Sequence, residues 1–176
     1  MLDDTWAAKL EDVVTEISES ILNPVVTGDG DQKLEMELIK MSCSLLLGLS
    51  SASSFTVTEE SMVLLSILRP LSHLENGHAS IHDERAQAVL HACLMAMSSV
   101  ITKPSMPPSL VKAMISLVLK TSSKEKNLPD NIQKGMRSLL KECLSSGSVS
   151  TAEQSALACA MAKQADWETW SLIVRV

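Results

Sequence analysis

Cys43-Ser-Leu-Leu-Leu-Gly-Leu-Ser-Ser51, Cys93-Leu-Met-Ala-Met-Ser-Ser99 and Cys143-Leu-Ser-Ser-Gly147 are three stretches of one chain, and their cysteines stand fifty residues apart. Each lies near the end of a long apolar segment with helical spacing and leaves it through serines. A fixed period of roughly 20–50 residues, carried by helix-length segments, is the mark of a repeat array in which each unit buries its apolar face on its neighbours.

Composition agrees with helices. Hydrophobic residues make up 45% of the 176 positions but aromatics only 2%, with no Tyr and ten Met, so the core must be built from Leu, Ile, Val, Met and Ala. Ten Met and many Leu favour helix, and the aromatic residues that suit a pleated sheet are sparse. The expectation is an all-α fold in a single domain, 1–176, either whole or a piece of a longer array.

Eight helical segments follow from periodicity and punctuation. The first, about 3–22, has Trp6, Leu10, Val13, Ile17 and Ile21 as one apolar stripe, and Asn23-Pro24 ends it. The second, about 31–49, is capped by Asp31 and carries Leu34, Leu38, Met41 and Leu45, widened by Ile39, Cys43, Leu46 and Leu47. Thr58-Glu59-Glu60 opens a third, to about Leu74, which Pro70 shortens or kinks. Ser80-Ile-His-Asp83 resembles a capping box for a fourth, ending near Thr102.

Pro107-Pro108 starts the fifth, which stops near Lys120 before a loop from Thr121 to Leu128. Asp130-Asn-Ile-Gln133 caps the sixth, and Ser150-Thr-Ala-Glu153 is the clearest capping box, opening the seventh. Asp166 caps an eighth from Trp167 onward.

Paired, these segments make four antiparallel hairpins starting near 3, 58, 107 and 150. On helix length, pairing and period the chain resembles the HEAT/armadillo class of α-solenoids. That resemblance implies a stacked superhelix with a partner-binding face and assigns no role to any single residue. The competing architecture is an irregular eight-helix bundle in which the cysteine spacing is accidental.

Chemistry-bearing motifs are few. All four histidines, His73, His78, His82 and His91, fall within nineteen residues. His78 and His82 straddle a turn, and His91 and Cys93 point about 200° apart on a helix, so neither pair forms a metal site. The cysteines sit among Leu and Ala, with a cation beside Cys143 alone, which does not suit a catalytic thiol. No Walker loop, Gly-x-Gly-x-x-Gly, Gly-x-Ser-x-Gly or His-Glu-x-x-His is present. A non-enzymatic protein with no catalytic, cofactor or metal residues is expected.

Nor is a membrane partner expected: the longest apolar run, Leu110–Leu119, is interrupted by Lys112, and no basic n-region precedes an apolar stretch at the N-terminus. Thiols on apolar helical faces suit a reducing compartment, hence an intracellular protein of cytoplasm or nucleus.

Charge is distributed unevenly. Residues 1–50 hold three Lys and ten acids, net −7; residues 51–100 are net −3; residues 101–150 are net +5; and the last 26 are net −1. In an array this becomes an acidic end and a basic stretch, which orients a partner. Lys120, Lys124, Lys126 and Lys134 are therefore expected to receive an acidic or amphipathic helical segment of another protein. Trp167, Trp170, Leu172 and Val174 form an apolar C-terminal end that either packs back on the seventh helix or offers a contact, self-association included. Nucleic-acid binding through the 103–141 basic face is the alternative; with one Arg there and no aromatic from 56 to 166, it would be salt-sensitive and unspecific.

Overall fold

Leu-, Ala- and Met-rich segments broken by Pro, Gly and Ser can satisfy their backbone groups only as short helices joined by turns, and this is what the chain does. A computed structural model describes residues 4–29, 36–52, 61–104, 106–124, 127–147, 149–163 and 167–174. In chain order its elements are α1 (Asp4–Ile17), a π turn (Ser18–Leu22), α2 (Asn23–Thr27), α3 (Met36–Ser51), α4 (Met62–Asn76), α5 (Glu84–Ile101), α6 (Pro108–Lys124), α7 (Asp130–Ser145), α8 (Thr151–Lys163) and α9 (Trp167–Val174). The fold is all-α, with no strand among the described residues. The caps read at Asp31, Thr58-Glu59-Glu60 and Asp166 lie outside the described residues.

The first rod does not end at Asn23-Pro24. It runs on to Thr27 through the π turn, where the Asn23 N–H donates to the Ser18 carbonyl five residues back. A proline in an ordinary helix clashes with the carbonyl four residues earlier and leaves it without a donor. The widened turn removes that demand and places Pro24 in a first turn, where no N–H is needed. The rod stops instead at Gly28, whose φ of 83° is left-handed. A Cβ there would stand 2.6 Å from the Ser80 Oγ, because Ser80 donates its N–H to the Val26 carbonyl at 2.7 Å and ties this corner to the next hairpin.

Other boundaries shift for local reasons. Pro70 lies buried inside α4 and does not shorten it; the helix closes at Gly77, where Gly77 donates to Leu74 and His78 to His73 in a Schellman arrangement. The cap of α5 is Asp83 rather than Ser80: its Oδ1 accepts from the Arg85 N–H at 2.8 Å, and the Arg85 guanidinium holds its carboxyl below the ordinary range. α6 continues to Lys124, past the predicted stop at Lys120, with Thr121 fully buried. The Ser150/Glu153 box is complete: Glu153 Oε2 accepts from the Ser150 N–H at 2.8 Å, and the Glu153 N–H donates back to the Ser150 Oγ at 3.3 Å.

The helices pack in two successions. α1, α4, α6 and α8 follow one another, and α3, α5, α7 and α9 do the same beside them, with α3 on α4, α6 on α7 and α8 on α9 joining the two. α5 sits at the centre against α3, α4 and α7. Cys43, Cys93 and Cys143 are buried on α3, α5 and α7, so the fifty-residue register is one position repeated across a layer. Burial pushes the Cys43 thiol up to about 11 and the Cys143 thiol to about 12; Cys93 is pushed up by burial and then by neighbouring Cys43.

Candidate functional site

The lysines that look like one basic face in sequence are divided by the structure. Lys120 Nζ lies 2.7 Å from Glu75 Oε1, and Lys124 Nζ donates to the Glu75 carbonyl at 2.9 Å. Lys112 pairs with Glu153 at 2.9 Å, and Lys103 donates to the Ala52 carbonyl at 2.7 Å. Each is held by the adjacent hairpin. Together with Arg69–Glu19 at 3.2 Å, these pairs put one ion pair at each junction of the α1–α4–α6–α8 succession. Lys126 lies outside the described residues; Lys134 stands apart, exposed on α7.

The C-terminal set also divides. Trp170 is half-buried and packs on the core, neighbouring Ile173 is buried, and Val174 is 57% exposed. The side chains of Trp167 and Leu172 lie outside the described residues.

What remains as a continuous surface is the outer side of α3, α5 and α7. Past its first turn, where Glu84, Arg85 and Gln87 reach solvent, α5 is enclosed except for a half-exposed line at Ala88, His91, Met95 and Ser99, at helical steps of three and four. On one side α3 presents Ser44, Gly48 and Ser51, with Ser51 Oγ 3.5 Å from Ser99 Oγ. On the other, α7 presents Lys134, Ser138 and Lys141 on one stripe. The flanking residues on the α3 side are small, so a ligand's backbone can come close to α5 there. Its walls are held in register where His91 Nδ1 lies 2.8 Å from the Asn131 carbonyl.

A second surface is missed by periodicity. In α3 the core stripe is Ile39, Ser42, Cys43, Leu46 and Ser50, while Leu38 and Met41, which head the more obvious apolar stripe, are 43% and 69% exposed. Leu10 and Val13 of α1 are likewise 40% and 45% exposed. The available signal was a helix apolar on more than one side, which an outer helix shares with an inner one.

Among the described residues no three of His, Cys, Asp and Glu are placed to hold a metal ion, and no helix is long and apolar enough to cross a membrane. Compared with protein-family models, with curated proteins and with solved structures, the chain finds no match.

Proposed function

We propose that this chain is a non-enzymatic interaction scaffold of the HEAT/armadillo-like helical-repeat kind, acting inside the cell in cytoplasm or nucleus. It binds a peptide or helical segment of another protein along the outer side of α3, α5 and α7. The observation that carries this reading is the half-exposed strip Ala88–His91–Met95–Ser99 on a helix otherwise enclosed beyond its first turn, flanked by Lys134 and Lys141. A partner lays small or apolar side chains on Met95 and sets acidic ones against the two lysines, which steer and orient more than they bind. The inward packing of Trp170 favours this strip over the C-terminal end as the contact. The nucleic-acid alternative has less support, since Lys103, Lys112, Lys120 and Lys124 are engaged within the chain.

The test is anisotropy titration of labelled acidic amphipathic peptides against the wild-type chain, Met95→Arg and Lys134→Glu/Lys141→Glu. Binding weakened roughly tenfold by either variant, with unchanged melting, supports the strip. Binding indifferent to both removes it.

A further inference from the structure

We propose that the open face of α1 and α3 is a second docking surface, and that its occupant is a basic amphipathic helix of another protein. Leu10 and Val13 on α1 and Leu38 and Met41 on α3 are four large apolar side chains at 40–69% exposure, the largest exposed group of this kind among the described residues. Val14, Ile17 and Leu22 line a small hollow together with Ser42, Leu45 and Leu46 of α3, next in sequence to Val13 and Met41. Apolar side chains at a step of three on α1 and again on α3 can meet the i, i+3, i+4, i+7 face of a single helix laid against them.

Charge decides which helix. Residues 1–50 carry ten acids against three lysines. Glu16 sits one turn from Val13 and Glu37 one turn before Met41, with Glu11 and Asp12 beside Leu10; all four are exposed. The opposing cations among residues 9–29 and 36–52 are Lys9 and Lys40, the latter paired with Glu37 at 2.9 Å. Two copies of this face would bring like charges together, which disfavours a symmetric pair of this chain. A helix with Leu, Ile or Met on one side and Lys or Arg along its margins suits both these exposed apolar side chains and the exposed acids beside them. This surface is separate from the α3–α5–α7 strip and prefers the opposite charge.

The probe is a labelled amphipathic peptide of about 18 residues, five helical turns, with Leu at the apolar positions and Lys elsewhere, beside a control with Glu for every Lys. Both are titrated by anisotropy against the full chain, against Leu38→Ser/Met41→Ser, and against Lys134→Glu/Lys141→Glu. Adventitious attraction of a cationic peptide to an acidic protein would survive Leu38→Ser/Met41→Ser, which alters no charge. The expected result is binding of the Lys peptide at least about tenfold tighter than the control, reduced about tenfold by the serine pair and not by the α7 pair. Lys-peptide binding that the serine pair leaves intact overturns the proposal, as does equal binding of the Glu control. So does sedimentation showing wild-type self-association that the serine pair abolishes, since the patch would then belong to a second copy. Because all four side chains are exposed, unchanged melting of the serine pair separates lost docking from lost folding.

Discussion

Gly135 of α7 and Leu94 of α5 approach so closely that a Cβ on the glycine would stand 3.0 Å from both the Cβ and the Cδ1 of the leucine, and 3.3 Å from Nδ1 of His91. Nothing about the backbone angles demands glycine here, and mid-helix glycine costs about 1 kcal/mol relative to alanine. It is retained by proximity: the absent side chain lets the two central helices meet.

Gly135→Ala is therefore expected to destabilise the chain by about 1 kcal/mol, although alanine is the better helix former. Overpacking of about 1–3 kcal/mol outweighs the propensity gain, because the obstructing Leu94 Cβ cannot rotate away. Urea denaturation reads this, and Leu94→Ala in the same chain should recover part of the loss. A stabilised Gly135→Ala would show that α7 slides without cost.

The three buried thiols predict alkaline sensitivity. Each is neutral in the folded chain well above its ordinary value of 9.0, with Cys43 raised to about 11 and Cys143 to about 12 by burial. The unfolded chain therefore loses protons first. Stability is full below pH 9 and falls as pH rises through the 9–11 window, by up to about 1.4 kcal/mol per thiol per pH unit. Cys43→Ala should flatten that decline. A stability profile level from pH 8 to 10.5 would contradict it. The same burial predicts that exposed Cys159 is the first thiol to react with a mild alkylator, by access alone.

Glu75 holds Lys120 by its carboxylate and Lys124 by its carbonyl. The Lys120 side chain is 58% exposed, so Glu75→Gln should cost at most about 0.5–1 kcal/mol and lose its effect at high salt. Glu75→Lys should cost more by repulsion, and Lys120→Glu added to it should restore the loss. A double-mutant cycle without coupling would mean the pair records only proximity.

Such contacts explain what can and cannot be read from this chain. Polar links across hairpins join residues 40–52 apart: His91 to Asn131, Lys120 to Glu75, Arg69 to Glu19, Lys103 to Ser51. Those separations lie near the fifty residues between the cysteines, so the all-α class and the side-by-side packing of the cysteine-bearing helices were legible. Which stripe of α3 is core was not, because Leu38–Met41 and Ile39–Cys43 are equally apolar and burial depends on where α5 lies. Pro24 read as a stop because a local rule cannot anticipate a π turn. The basic face failed to stay whole for a similar reason: charge is counted along sequence, whereas Glu75 and Glu153 reach it across hairpins.

Glu153 performs two tasks from one carboxylate. Oε2 accepts from the Ser150 N–H and hydroxyl, both at 2.8 Å, while Oε1 lies 2.9 Å from Lys112 on α6. The Ser150 backbone bond first, then Lys112, lower its carboxyl to about 2 from 4.5. A lowered value places the stabilisation above the unfolded value, so it is complete above pH 4.5 and lost as pH falls from there toward 2. Protonation should release the start of α8 and its tether to α6 together. Amide exchange at Ser150 and Glu153 should accelerate between pH 4.5 and 2 beyond the intrinsic trend, and Glu153→Ala should show that acceleration at neutral pH. Ser150→Ala removes only the cap and should cost about 1 kcal/mol with the Lys112 pair intact. If Glu153→Ala protects α8 as the wild type does at pH 7, the carboxylate neither caps nor clamps this helix.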